Sequence, residues 1–147
     1  MTHARSGHAL LAGEGERLSF RGAVFLVRAS AESTGGAFSI IEEVDPLDTP
    51  AHVHAHEDEL FQVLEGEHVF TVGGDEFRVG PGGIVFAPRG VPHAQRRVVP
   101  RVGRVAVHCS PAGFEGFFRD LDAAERDGTI GAEVYARVSE RYGISWL

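Results

Sequence analysis

The chain has 147 residues, of which 43% are hydrophobic and 24% charged, and its formal net charge is −7 at pH 7. This length and composition predict one globular domain around one hydrophobic core. The negative charge argues against a nucleic-acid partner, because a nucleic-acid-binding surface needs clustered positive charge.

The first part of the chain, residues 1–16, is small and polar and predicts a flexible N-terminal segment. From Leu18 onward, short runs of alternating or β-branched residues are separated by glycine and proline, which is typical of strands. At least eight strands are predicted, in chain order: 18–21, 23–27, 38–44, 60–64, 68–72, 76–79, 84–87, a segment at His93, and 102–109. Gly73 and Gly74 predict a two-residue hairpin turn. The pattern favours an all-β sandwich, jelly roll or barrel.

After residue 109 the pattern changes, and Ser110 followed by Pro111 is typical of a helix start. Four apolar residues then recur at the spacing of one helix face: Phe114, Phe117, Phe118 and Leu121. A second helix is predicted over residues 132–141, with Gly143 at its C-terminal end. The chain thus divides into a flexible segment, a barrel and a helical extension: 1–16, 17–110 and 111–147. The extension is too short to be stable alone, so we expect it to pack on the barrel or on a dimer partner.

Several simple features argue for a cytoplasmic protein. The single cysteine, Cys109, cannot form an internal disulfide. No apolar run approaches the length needed to span a bilayer, and residues 1–15 lack the apolar core of a signal peptide. All 14 basic residues are arginine, which excludes a lysine Schiff base or a P-loop lysine. We therefore expect neither a membrane nor a nucleic-acid partner.

Three histidines and one glutamate form a candidate metal site. His52 and His54 lie two residues apart, and two residues at this spacing on a strand share one face. Glu59 begins the next run and can turn inward, and His93 arrives from a distant strand after the turn at residues 88–90. Imidazole is the commonest metal ligand. This set suits one divalent transition metal, such as iron, nickel, manganese, cobalt or zinc.

Spacing alone also admits His54 and His56 as the histidine pair. On a continuing strand His56 would share the inward face, but the chain needs a bend here for Glu59 to approach. We therefore expect His56 and Asp58 to support the ligands rather than to bind the metal.

A substrate pocket beside the metal is predicted to be mostly apolar with a few polar groups. The candidate pocket residues are Phe38, Phe61, Phe70, Phe86, Gln95 and His68. Gln95 is included because it lies two residues after His93 and therefore points to the same face of the strand. His68 shares the parity of Phe70, and a hydrogen-bonded core or rim histidine is the favoured interpretation of it over a catalytic one.

Two stretches of the chain resemble the two conserved motifs of the cupin superfamily. The first has the spacing His-x-His, four residues, Glu, six residues, Gly: His52, His54, Glu59 and Gly66. The second has the spacing Gly, five residues, Pro, one residue, Gly, two residues, His: Gly82, Pro88, Gly90 and His93. In that family the three histidines and the glutamate bind the metal. The resemblance implies an all-β jelly-roll barrel, here with two C-terminal α-helices.

Residues 34–39 and the phenylalanine-rich helix that ends at Arg141-Tyr142-Gly143 look like those of single-domain quercetinase-like cupins. The resemblance thus covers the chain from Leu18 to its C-terminus. Arg97 stands where the second motif often has asparagine, and Pro46 stands where the first motif usually has glycine.

The resemblance implies a dioxygenase that acts on a flavonol, a phenol or another enolisable small molecule, with dioxygen as co-substrate and Glu59 as catalytic base. One alternative is a non-oxidative metal-dependent cyclase or isomerase of polyketide-like metabolites. Another is a non-catalytic cupin that binds a small molecule. Cupins commonly dimerise through sheet edges, so a homodimer is expected.

Overall fold

The computed structural model describes residues 6–100 and 102–147. The first five residues of the predicted N-terminal segment lie outside this described part. Eleven strands and three helices are found within it. No helix in the described residues is both long enough and apolar enough to cross a membrane.

The strands are β1 (Glu16–Phe20), β2 (Ala23–Ala29), β3 (Ser39–Val44), β4 (Thr49–His54), β5 (Asp58–Glu65), β6 (His68–Val72), β7 (Asp75–Val79), β8 (Ile84–Ala87), β9 (His93–Arg97), β10 (Arg104–Ser110) and β11 (Ile144–Trp146). The helices are α1 (Ala31–Thr34), α2 (Glu115–Asp127) and α3 (Ala132–Arg141).

The strands form two antiparallel sheets that enclose the core. A six-stranded sheet has the order β1-β2-β3-β10-β5-β8, and a five-stranded sheet has the order β11-β4-β9-β6-β7. Burial alternates along the strands, as in β5, where Phe61 and Val63 are buried and Leu60 and Gln62 are half-buried. The predicted all-β jelly roll with C-terminal helices is confirmed.

The predicted hairpin at Gly73 and Gly74 is also confirmed. Val72 of β6 lies opposite Asp75 of β7, so two residues form the turn. Gly73 has a φ angle of 60°, which glycine adopts without the steric penalty of a side chain.

The first helix of the extension begins later than Ser110-Pro111 predicts. Ser110 continues β10 and pairs with Asp58 of β5, and α2 begins only at Glu115. The sheet pairing thus overrides the local helix-start signal. The predicted apolar face is nevertheless correct, since its four residues are buried in the barrel core: Phe114, Phe117, Phe118 and Leu121. The second predicted helix coincides with α3.

Two elements are absent from the prediction. The C-terminal extension ends in a strand, β11, which pairs with β4 so that Ile144 lies opposite His54 and Trp146 opposite His52. A short helix, α1, also stands where no helix was predicted. Both elements are only three or four residues long, so neither shows a recognisable periodicity.

The N-terminal residues from Ser6 to Gly15 form no helix or strand. The Arg28 guanidinium donates hydrogen bonds to the backbone carbonyls of Leu10, Leu11 and Glu14. This part of the segment is thus docked on β2, and its predicted flexibility stays a prediction.

Candidate metal centre and adjoining cavity

Two histidines of the candidate centre come from β4. Burial alternates along this strand: His52 and His54 are buried, and Ala51 and Val53 are half-buried. His52 lies directly opposite His93 of β9 in the antiparallel pairing. Three imidazole rings therefore meet inside the five-stranded sheet, with ring centroids separated by 4.3 Å, 5.0 Å and 5.3 Å.

Glu59 reaches the same point from the opposite sheet. The chain bends at residues 55–57 and enters β5, where Glu59 shares the inward face with Phe61. The Glu59 Oε2 atom lies 2.8 Å from His93 Nε2 and 3.2 Å from His54 Nε2. A carboxylate of the six-stranded sheet thus faces the imidazoles of the five-stranded sheet.

The arrangement fits a bound cation. One donor atom from each of His52, His54, Glu59 and His93 lies within 4.8 Å of the others. Three of these side chains present buried atoms that have no hydrogen-bond partner in the described residues: His54 Nε2, Glu59 Oε2 and His93 Nε2. The contacts are short but are not aligned as hydrogen bonds. Because buried polar atoms are nearly always paired, their convergence supports a site for a divalent transition metal.

Backbone carbonyls set the tautomers of two of the histidines. The Nδ1–H of His52 donates to the Pro50 carbonyl at 2.8 Å, and the Nδ1–H of His93 donates more weakly to the Val91 carbonyl at 3.4 Å. A carbonyl oxygen only accepts, so Nδ1 carries the proton in each ring. The Nε2 lone pairs are then free for a metal.

The protonation states of the ligands reflect their burial and their mutual charges. Burial, with a contribution from the neighbouring His93, lowers the pKa of His52 to about 4. His52 is therefore neutral near pH 7, which is the form that binds metals. Burial alone would raise the pKa of Glu59, but the contact with His93 and the charges of the imidazoles outweigh it and hold this pKa below its usual value.

Glu57 stands behind His54 as a buried carboxylate. Its side chain is 4% exposed, and its Oε2 atom lies 3.6 Å from His54 Nδ1, beyond hydrogen-bonding distance. Burial lowers the pKa of His54, but Glu57 and Glu59 outweigh burial and raise it. Glu57 is therefore positioned to orient the His54 ring.

Asp58 acts on the turn that precedes His93. Its carboxylate accepts hydrogen bonds from the backbone N–H of Arg89 at 2.9 Å and from the Arg89 Nε–H at 3.2 Å. The N–H of the next residue, Gly90, donates to the His54 carbonyl at 2.9 Å. These bonds join the first motif to the second, and the supporting role of Asp58 toward the ligands stays a prediction.

His56 supports the C-terminal strand rather than a ligand. It is exposed and contributes no donor atom to the centre. Its ring lies so close to Gly143 that a Cβ on that glycine would sit 2.6 Å from two ring atoms. The N–H of Ala55 also donates to the Gly143 carbonyl at 2.9 Å. The expectation that His56 supports the metal ligands is thus corrected to contact with the residue that precedes β11.

A largely apolar cavity adjoins the centre and includes all four candidate ligands in its lining. Many of its aromatic side chains come from the extension: Phe114, Phe117, Phe118, Tyr135 and Trp146. The His54 ring meets the Phe114 ring edge-on at a centroid distance of 4.7 Å. The cavity therefore offers flat apolar surfaces beside polar donor atoms, which is typical of a small-molecule site.

Two of the six predicted pocket residues line this cavity, namely Phe61 and Gln95. The pocket assignment is wrong for His68 and Phe70, which lie elsewhere in the core, whereas the favoured interpretation of His68 as a hydrogen-bonded core histidine agrees with its position. His68 is fully buried, and its Nε2–H donates to the Glu65 carbonyl at 3.1 Å. Phe70 is separated from the cavity by Phe61, against which it packs at 5.1 Å.

The prediction is also wrong for Phe38 and Phe86, which are exposed. Phe86 is 54% exposed because it lies on the outward face of β8, between the inward Val85 and Ala87. Phe38 is 42% exposed and precedes the first residue of β3. Strand parity alone did not show which face was inward at these positions.

Sequence reasoning missed most of the cavity wall, including Trp146 and Glu43. The Trp146 ring lies 4.9 Å from the His52 ring, and its Nε1–H donates to Ser139 Oγ at 3.0 Å. Only the pairing of β11 with β4 places it there. Glu43 also lines the cavity, and its parity with the fully buried Ile41 in the predicted strand 38–44 was a signal that could have found it.

Arg97 forms an ion pair beside the cavity. Its Nε atom lies 3.6 Å from an Asp48 oxygen, and its backbone N–H donates to the same carboxylate at 2.9 Å. Asp48 itself lines the cavity. The residue in place of the family's usual asparagine is thus held at the rim, away from the donor atoms.

Comparison with known proteins supports the predicted relationship. The Cupin domain family matches residues 41–99, a range that contains all four candidate ligands. The chain is 29% identical over 116 residues to quercetin 2,3-dioxygenase of Bacillus subtilis (strain 168). That alignment covers 78% of this chain and 34% of the relative, so the chain spans about a third of the relative's length. The predicted resemblance to the cupin superfamily is confirmed.

Solved structures share the fold at low sequence identity. KdgF from Halomonas sp. has a TM-score of 0.64 at 18% identity, over 76% of this chain and 99% of that one. Pac13, a nucleoside dehydratase, of which Streptomyces structures are known, has a TM-score of 0.58 at 12% identity, over 76% of this chain and 88% of that one. These similarities establish the fold alone.

Proposed function

We propose that this chain, a cupin related to the quercetinase-like proteins, is a metal-dependent dioxygenase for a planar phenolic or enolisable small molecule. The observation that carries this proposal is the position of the three-histidine, one-glutamate centre in the wall of an aromatic cavity. The identity with quercetin 2,3-dioxygenase supports the reaction class.

In this proposal the chain's own residues bind the substrate and move one proton. Aromatic walls such as Phe61 and Trp146 hold a flat ring and exclude water. The Glu59 carboxylate accepts the proton of the substrate hydroxyl that points at the centre. The two backbone-fixed imidazoles, His52 and His93, keep their Nε2 atoms toward the same point. A divalent transition metal bound there would supply Lewis acidity and, if redox-active, a path for electrons.

Oxygen consumption tests the proposal directly. Protein loaded in turn with iron, nickel, manganese, cobalt or zinc would be mixed with quercetin or acetylacetone at an oxygen electrode. We expect uptake with at least one redox-active metal, and we expect Glu59→Gln to lower the rate by about a hundredfold or more, the usual contribution of a general base. Chelator-treated protein is the control.

The other outcomes separate the alternative functions. Absence of oxygen uptake with every metal and both compounds would overturn the dioxygenase proposal. Anaerobic conversion of the compound would favour a non-oxidative cyclase or isomerase, and tight binding without turnover would favour a binding protein. The shared fold cannot choose among them, because one scaffold hosts many reactions.

We also propose that the chain forms a homodimer through the edge of the six-stranded sheet. β8 is one of the two edge strands of this sheet, and it presents Ile84 and Phe86 outward at 62% and 54% exposure. Leu64 on the neighbouring β5 is exposed as well. Light scattering should give twice the chain mass, and Phe86→Ser should shift it toward the monomer; a monomeric wild type would contradict this. A cytoplasmic location stays a prediction.

A further inference from the structure

The cavity contains a carboxyl group that the proposed metal chemistry does not use. Glu43 lies on the inward face of β3, beside Phe25 of β2 and Val105 of β10 in the strand pairings. Both of these neighbours are apolar and buried. A carboxyl group in such surroundings is costly unless a partner or a ligand satisfies it.

The partner of Glu43 is an amide on the opposite sheet. The Gln95 Nε2–H donates to Glu43 Oε2 at 2.8 Å. Gln95 is only 8% exposed, and its Oε1 atom is buried without a hydrogen-bond partner in the described residues. If the amide is turned over, its NH₂ group is the unpaired one instead. In either orientation the glutamine keeps one unpaired polar atom in the cavity wall.

This pair stands beside the candidate metal centre. Gln95 follows His93 by two residues on β9 and points to the same face, so their Cα atoms are about 7 Å apart along the strand. The pair and all four candidate ligands line one cavity. A single planar molecule can therefore reach both places at once.

We propose that Glu43 and Gln95 form a hydrogen-bonding subsite for a second hydroxyl group of the substrate, on the part of the aromatic molecule that lies away from the metal centre. The unpaired amide atom and the carboxyl together offer a hydroxyl group an acceptor and a donor. The subsite thereby selects polyhydroxylated aromatic compounds over those with one hydroxyl group. The subsite proposal rests on the proposed function, because it assumes that the substrate of the dioxygenase occupies this same cavity.

The protonation of Glu43 agrees with this role. Burial raises its pKa to about 7, although the hydrogen bond from Gln95 opposes the shift. Near neutral pH a large fraction of Glu43 therefore keeps its proton and can donate a hydrogen bond. A carboxylic acid in this state distinguishes a hydroxyl group from a hydrogen atom better than an apolar wall does.

A binding experiment tests the subsite without turnover. Zinc-loaded protein, which has no redox chemistry, would be titrated with 2-naphthol and with 2,6-dihydroxynaphthalene. Quenching of Trp146 reports occupancy, since it is the only tryptophan and it lines the cavity. The variants are Gln95→Leu and the near-isosteric Glu43→Gln. The matched control is Gln62→Leu, because Gln62 lies on the outward face of β5.

We expect the wild type and Gln62→Leu to bind the dihydroxy compound at least about tenfold more tightly than 2-naphthol, the usual effect of one matched hydroxyl in a polar site. Gln95→Leu should lower this ratio to about one, and Glu43→Gln should lower it severalfold. Thermal melts verify that each variant is folded. An unchanged ratio in folded Gln95→Leu, or no binding of either compound, overturns the proposal. The ratio of the two affinities is measured without turnover and does not depend on oxygen uptake. The dioxygenase proposal and the subsite proposal can therefore fail independently.

Discussion

The metal centre and the aromatic wall of the cavity are built in different ways. The centre takes its donors from β4, β5 and β9, and its histidines and glutamate lie within two short motifs. Much of the wall comes from the C-terminal extension, whose α2, α3 and β11 close over the barrel. The centre therefore depends on the pairing and packing of strands within the barrel, whereas much of the wall depends on the packing of a C-terminal segment on that barrel. Changes in the wall should alter substrate selection while metal binding persists.

Removal of a metal ligand should have the largest effect. We expect His93→Ala to weaken binding of a divalent metal by about a thousandfold, since even supporting partners of ligands are worth 10- to 100-fold. Metal content after dialysis against a graded chelator series measures this. His56→Ala is the control and should change the affinity less than about threefold. Equal losses in both variants would show that the histidine register assigned here is wrong.

A core substitution in the extension should affect the wall and spare the centre. Leu121 is fully buried in α2, and we expect Leu121→Ala to lower the free energy of unfolding by about 3 kcal/mol. Urea denaturation measures the loss. Metal affinity of the folded variant should stay within about twofold of the wild type. A large loss of metal affinity would contradict the separation of the two regions.

The pH dependence of stability should reveal Glu43. Its pKa rises from 4.5 to about 7 on folding, so the folded protein binds this proton more tightly than the unfolded chain does. The stabilisation is complete below about pH 4.5 and is lost as the pH rises through about 7. Each pKa unit corresponds to about 1.4 kcal/mol, so the raised pKa of Glu43 changes the free energy of unfolding by about 3 kcal/mol over this pH range.

Urea denaturation of metal-free wild type and Glu43→Gln at pH 5 and pH 8 measures this contribution. The groups that face Glu43 are Gln95, Phe25 and Val105, with the charge of Glu59 nearby. The wild type should lose up to about 3 kcal/mol more than the variant between the two pH values. Parallel losses in both proteins would refute the raised pKa.

The smallest effect is expected from Glu57, the buried carboxylate behind His54, and concerns the affinity for the metal. Glu57→Gln removes the buried charge near His54 Nδ1 and should weaken metal binding by about tenfold. Glu140→Gln, at an exposed position of α3, is the control. Isothermal titration with zinc can resolve this difference, and identical affinities would exclude an orienting role for Glu57.

The main strands and helices were predictable because they depend on short-range patterns, and the donor residues were predictable because they stand at the positions of the two cupin motifs. Strand parity places His52 and His54 on one face, and the hairpin at Gly73 follows from its turn residues. The start of α2 was misplaced because the pairing of Ser110 with Asp58 overrides the local signal. Phe86 was assigned to the wrong face because parity does not show which face is buried.

The sequence by itself determined an all-β class through its alternation and turn residues, and its resemblance to the two cupin motifs indicated the jelly roll and the four residues whose donor atoms converge. Only the tertiary structure decided the wall of the cavity. Glu43 and Gln95 come from opposite sheets, and Trp146 reaches His52 only after β11 pairs with β4. Closure of the barrel selects such partners, since residues far apart in sequence carry no local pattern that pairs them.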